Sequence, residues 1–236
     1  MPDSIALSFA EPIPIFPLPG VVMLPHSALP LHIFEPRYRQ MIERTLEEGG
    51  RGKAKPIAIA TIQPGVDILA RNPAVREAVC VGHIVKQQRR PDNSFDIILQ
   101  GLCRAAILKI EEPDAAHLYR RAHLRPLDNP SATVPGLRRM RTEMRNLLRG
   151  LRMKRLHSVR SVLEWIDRPA LSHQGAIELV AFSVITNEEV RYKVLAEPDP
   201  YRRARMIWAD IERTDRLIAK AQRQVGDEPP RGVSWN

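Results

Sequence analysis

The sequence predicts an α+β chain: an irregular β domain with one helix over residues 11–128, then an α-helical bundle over residues 136–225, with residues 226–236 as a flexible tail. Three observations predict it. Six prolines between Ile13 and Arg39 break the apolar sequence into short extended pieces, because proline lacks the donor that a helix or inner strand needs. Up to Leu127 the Ile, Val and Leu residues fall in runs of strand length separated by turn residues. Beyond the breaker segment Asn129-Pro130-Ser131-Ala132-Thr133-Val134-Pro135-Gly136 the apolar period changes from two to about 3.6.

Pro14, Pro17, Pro19, Pro25 and Pro30 confine the first segment to short extended stretches, with Gly20 free to take a positive φ. A helix follows. Pro36 suits its first turn, Tyr38, Met41, Ile42 and Leu46 have helical spacing, and Gly49-Gly50 ends it. Strands are expected at Pro56–Ile62, Ala78–Val85, Ser94–Gln100, Leu102–Ile110 and Leu118–Leu127, with Pro91-Asp92-Asn93 as a hairpin turn and Gly101 as a break between two strands. In the second half, Leu137, Met140, Met144, Leu147, Leu148 and Leu151 trace one apolar stripe, and Ile177, Val180, Ala181, Val184 and Ile185 trace another. Thr186-Asn187-Glu188-Glu189 has capping-box spacing, so a short helix starts at Asn187. Asp199-Pro200 opens a long last helix whose buried face is Ala204, Ile207, Trp208, Ile211 and Ile218.

A hydrophobic share of 44% and a charged share of 27% suit a globular protein, and an aromatic share of 5% argues against a surface built on stacking rings. The net charge of +9 makes anionic partners worth testing. The N-terminus lacks a basic region before an apolar run, and no apolar run is long enough to span a bilayer, so the expected location is cytoplasmic, with no membrane partner. Cys80 and Cys103 lie inside strand-like sequence, as reduced thiols would.

The elements Phe16-Pro17-Leu18-Pro19, Pro25, Leu29-Pro30-Leu31 and Ile33-Phe34-Glu35-Pro36-Arg37-Tyr38 together resemble the opening of the Lon protease N-terminal domain family. Cys80-Val81-Gly82-His83-Ile84 with Gly101-Leu102-Cys103-Arg104-Ala105 is similar to the paired strands that end the family's β half, and Ala181–Leu217 looks like its helical part. The resemblance implies a PUA-like, partly open β-barrel followed by a helical bundle. It also implies capture of protein substrates. In full-length Lon an ATPase module and a Ser-Lys protease follow; this chain resembles the stand-alone members.

Motifs for chemistry are weak. Glu47-Glu48-Gly49-Gly50-Arg51-Gly52-Lys53-Ala54 misses the first glycine of a phosphate loop and has Ala54 where a magnesium-binding hydroxyl is needed. The seven histidines are scattered, and neither His26 with His32 nor His117 with His123 has zinc-ligand spacing. Acidic pairs such as Glu111-Glu112 diverge on any regular element, so no catalytic residue, metal or cofactor is expected. Two features stand out. Arg104 matches an arginine that recurs in the family motif, and with Glu35, Arg37 and Tyr38 it is a candidate for a structural or ligand-contacting network. Arg138, Arg141, Arg145, Arg149 and Arg152 recur at helical spacing opposite the Leu/Met stripe, a solvated face or a face for an anionic partner.

The leading expectation is a non-enzymatic module that binds unfolded or exposed polypeptide, or a protein adaptor, in a groove between the β domain and the bundle. The alternative is an RNA-binding protein using the barrel and the basic helix face, against which the low aromatic content counts. Oligomeric state is not legible.

Overall fold

One long hairpin organises the first half. Val75–Arg89 (β4) and Phe95–Glu111 (β5) pair antiparallel from Ala78↔Ala106 to Arg89↔Phe95. Their turn is made by local chemistry: Asn93 takes φ 64°, and the Asp92 carboxylate accepts hydrogen bonds from the Ser94 amide and hydroxyl. This computed structural model describes residues 7–49, 55–128, 134–150, 152–153, 156–169 and 171–225. The breaker residues 129–133, residues 50–54 of the glycine-rich near miss, Leu151 and the tail from 226 lie outside the described residues.

The other strands are Ile13–Leu18 (β1), Ala28–Ile33 (β2), Ile57–Ile62 (β3) and Arg121–Pro126 (β6), in the order β2-β5-β4-β3-β1-β6. β6 also pairs with the far half of β5, so β5-β4-β3-β1-β6 curls into a barrel. The β1–β6 seam is short, with Ile13↔Ala122 and Pro14↔Arg121 in register and the Ile15 amide donating to the Arg120 carbonyl at 2.9 Å, which leaves the barrel partly open, as the resemblance implied. Proline explains the seam. Pro17 cannot donate to a neighbour and lies beyond the paired stretch, while β1 is held on its other side by parallel pairing to β3. Inside the barrel, Ile13, Ile15, Val79, Val81 and Leu124 interlock with the small residues Ala58, Ala60, Ala105 and Ala122. Full burial of each larger side chain contributes on the order of 2 kcal/mol.

Gly101 does not break the strand as expected. β5 continues through it with a bulge: Gly82 faces Gly101 and Val81 faces Cys103, leaving Leu102 as the extra residue. The two glycines make room rather than an end. A Cβ on Gly82 would lie 2.6 Å from the Gln100 carbonyl oxygen, and one on Gly101 would collide with the Leu24 carbonyl. The N-terminal segment crosses the sheet here, with the His26 amide donating to the Gly101 carbonyl and the Gly101 amide donating to the Ser27 carbonyl, both at 2.9 Å.

Pro36–Glu48 (α1) starts at its proline and ends at Gly49, which stays right-handed at φ −68°. The later helices are Leu137–Leu148 (α2), His157–Trp165 (α3), His173–Val184 (α4), Glu188–Ala196 (α5) and Pro200–Val225 (α6). α3 had no counterpart in the expectations: it is short, and its N-cap Leu156 offers no side-chain cap. The cap of α5 is Asn187 rather than Thr186. Its side chain accepts from the Val190 amide, which releases Glu189 for another role.

The chain forms two compact units, Met1–Thr133 with Asn187–Asp199, and Val134–Thr186 with Pro200–Asn236. α5 therefore belongs with the barrel, whereas periodicity grouped it with the bundle. Tyr192 and Arg76 show why: the Tyr192 hydroxyl accepts from the Ala78 amide at 2.9 Å, and the Arg76 guanidinium lies 3.2 Å over the Tyr192 ring while holding Glu189 through two hydrogen bonds. In the second unit Leu137, Met140, Met144 and Leu148 of α2, Val180 and Ala181 of α4, and Ala204, Ile207 and Ile211 of α6 are buried. An Arg203–Glu178 pair at 2.9 Å is enclosed in the same unit, each side chain 1% exposed.

The crossing at Gly101 sets a first expectation. Gly101→Ala should lower unfolding free energy in urea by about 1–3 kcal/mol, since its Cβ meets backbone and not a yielding side chain. An unchanged midpoint would show that the crossing segment is free to shift.

Candidate functional site

Three exposed apolar side chains of the barrel unit gather at one place, apart from Leu108, which is 63% exposed elsewhere on β5. Phe34, Ile68 and Leu69 are 66%, 58% and 88% exposed and rim a groove of about 280 Å³ whose walls include Pro17, Leu18, Pro19, Leu31 and Pro73. Prolines build it. Pro17 keeps one wall extended, Pro19 opens the turn that ends it, and Pro36 starts α1 so abruptly that Phe34 and Glu35 are left at the mouth, Glu35 being the extended N-cap. The opposite wall is the loop after β3, where the Asp67 carboxylate accepts from the Leu69 amide at 2.9 Å.

Three of the four network candidates meet at this groove. Arg37 Nε donates to Glu35 at 2.9 Å, a second Arg37 nitrogen donates to the Arg71 carbonyl, and the guanidinium lies 4.5 Å from the Tyr38 ring centroid. Tyr38 is buried with its ring 4.5 Å from that of Phe16, and burial raises its phenol pKa against the pull of Arg37. Arg120, also buried, donates to the Pro73 carbonyl at 2.7 Å, and burial lowers its pKa. These arginines fix the loop that carries Ile68 and Leu69. Alongside runs β2, a terminal strand paired with β5 on one side, with Pro30 in its middle.

Arg104 stands apart from that network, which corrects the grouping. It is fully buried, places one nitrogen 2.9 and 2.8 Å from the two Asp128 oxygens, and donates from Nε to the Leu195 carbonyl at 3.2 Å. It thus ties β5 to the segment after β6 and satisfies a C-terminal carbonyl of α5.

The arginine stripe is largely engaged within its own unit. Arg141 donates to the carbonyls of Ile166, Arg168 and Leu171, capping the end of α3. Arg145 and Arg149 share Asp167 at 3.2 and 2.7 Å. Arg152 lies past the end of α2 and pairs with Asp215 through two hydrogen bonds at 2.9 and 2.6 Å. Arg138 is exposed, with no ion-pair partner among the described residues.

Residues 12–209 match the family model for the ATP-dependent protease La (LON) substrate-binding domain. The chain belongs to the Lon substrate-binding domain family. Lon protease 2 of Sorangium cellulosum (strain So ce56) is 30% identical over 118 residues, 49% of this chain, and the match spans 13% of that protein's length. The fold is similar to a Lon N-terminal domain protein from Xanthomonas campestris (TM-score 0.57, 20% identity, covering 84% of this chain and 98% of that one). It is also similar to the N-terminal domain of Mycobacterium avium complex Lon protease (TM-score 0.63, 14% identity, covering 86% and 98%). Among the described residues no helix is long and apolar enough to cross a membrane.

Ile68 and Leu69 were not singled out by the sequence reasoning. The available signal was two apolar residues in a loop opened by Pro64-Gly65, outside any strand or helix period. Asp128 and Asp167, the partners of Arg104 and of the stripe, were also missed; each stands far from its arginine in sequence.

Arg104→Ala should cost about 3–5 kcal/mol in urea unfolding, because the largely buried Asp128 carboxylate loses the guanidinium that lies 2.8 Å from it. Arg104→Met with Asp128→Leu should recover much of that loss. Equal loss in both variants would mean that the Leu195 contact, and not the charge pair, carries the effect.

Proposed function

We propose that this Lon-family domain is a cytoplasmic, non-catalytic polypeptide-recognition module and that the groove beside β2 holds an exposed apolar segment of an unfolded protein. One observation carries the reading: Phe34, Ile68 and Leu69 stand out in solvent around a proline-walled groove while the residues beneath them are rigidly held. Exposed apolar residues grouped in this way mark an interaction surface rather than a core. The other side of β2 has no strand partner among the described residues, and its backbone groups there suit a client lying extended along the edge. A partner protein presenting an exposed apolar segment would use the same groove as an adaptor.

The chemistry of the side chains supports binding over catalysis. Burial pushes the Cys103 thiol up to about 11, the opposite of what a nucleophile needs.

Phe34→Ser combined with Leu69→Ser should weaken binding of a fluorescently labelled, reduced and alkylated protein about tenfold or more in anisotropy titrations. Each exposed side chain covered by a client contributes on the order of 1 kcal/mol. The melting temperature should stay unchanged, as both residues are exposed. Unaltered affinity in a folded double variant would remove the groove from the binding site.

Thiol reactivity gives a separate check. At pH 8 Cys103 should react with a thiol reagent far more slowly than a free cysteine, and denaturant should abolish the difference. Fast labelling of Cys103 in the native protein would contradict the burial argument.

A further inference from the structure

The charge of the chain is divided unequally. The barrel unit has 18 Lys and Arg against 18 Asp and Glu, and the helical unit has 18 against 9, so the whole excess of +9 resides in the helical unit. Within that unit α2 and the first turn of α4 line a surface cavity with Arg138, Arg141 and Arg145 on one side, Ser172 and His173 on the other, and Asp167 between them. Arg141 is consumed by carbonyls, but the rest of the charge is only partly answered. Among the described residues Asp167 alone serves both Arg145 and Arg149, Arg138 has no ion-pair partner, and Arg145 Nε is buried without a hydrogen-bond partner.

We propose that this cavity and its edge are a second binding surface, for an acidic polypeptide segment whose carboxylates engage Arg138 and Arg145, which line the cavity, and Arg149, which shares Asp167 with Arg145 at its edge. It is a different surface from the groove and stands independently of it. Carboxylate chemistry is favoured because the site already holds one: Asp167 shows how a carboxylate sits against two guanidinium groups there, and an incoming Glu or Asp supplies the missing negative charge. Nucleic acid is less well served. No Phe, Tyr or Trp lines the cavity among its described residues, so bases would find no ring to stack on.

The full chain is titrated at low salt with three labelled probes: a twelve-residue Glu/Ser peptide, its Gln/Ser analogue and a twelve-nucleotide oligouridylate. The Glu peptide should bind, and the Gln analogue should not. Arg138→Gln with Arg149→Gln should weaken the Glu peptide roughly 5- to 20-fold. Arg205→Gln with Lys220→Gln on α6 removes the same charge from exposed positions that neither line the cavity nor contact Asp167, and should change affinity less than about twofold. Asp167→Asn should strengthen binding severalfold by freeing two arginines, an effect that general destabilisation would not produce. Equal losses in the two double variants, weaker binding by Asp167→Asn, or no Glu-peptide binding by the unmodified chain would each overturn the proposal. So would oligouridylate binding that depends on Arg138 and Arg149 while the Glu peptide stays unbound.

Discussion

The crossing of the N-terminal segment over Gly101 is the constraint on which the groove depends. Two backbone hydrogen bonds at that residue fix His26 and Ser27, and β2 begins immediately afterwards. From there the pairing Ala28↔Gln100 through Ile33↔Phe95 sets where Phe34 emerges, and Pro36 then turns the chain into α1. Any side chain at Gly101 would push the segment off the sheet. The exposed apolar rim is thus the far end of a rigid lever whose fulcrum is a glycine.

Arginine does most of the remaining fixing, and it does so through carbonyl oxygens as much as through carboxylates. Arg104 reaches a carbonyl at the end of α5, Arg141 three carbonyls at and after the end of α3, Arg37 the Arg71 carbonyl, and Arg120 the Pro73 carbonyl. Loop and helix-end carbonyls lack partners of their own, and a planar, permanently charged donor fork satisfies several at once. A chain rich in arginine is therefore not for that reason a nucleic-acid binder. Its cations have first to be counted against its own backbone.

That distinction also marks how far the sequence could be read. The hairpin turn at Asp92-Asn93, the strand β3, the start of α1 at Pro36 and the buried stripe of α2 follow from short-range rules and were legible. The continuity of β5 through Gly101 was not, because the need for glycine comes from the Leu24 carbonyl, far away in sequence. Nor was the attachment of α5 to the barrel, since Tyr192 and Glu189 find their partners more than a hundred positions earlier. The site divided in the same way. Glu35, Arg37 and Tyr38 are neighbours in sequence and remain so in space, whereas Arg104 was grouped with them by motif and separated from them by folding.

Hydrogen exchange with an unfolded client tests the central claim most directly. If an extended apolar segment lies along β2 and in the groove, binding should slow amide exchange within Ala28–Phe34 and around Ile68–Ala70 while leaving α2 and α6 unchanged. Protection confined to α2 and α6, with β2 and the Ile68 loop exchanging as in the unbound protein, would contradict it.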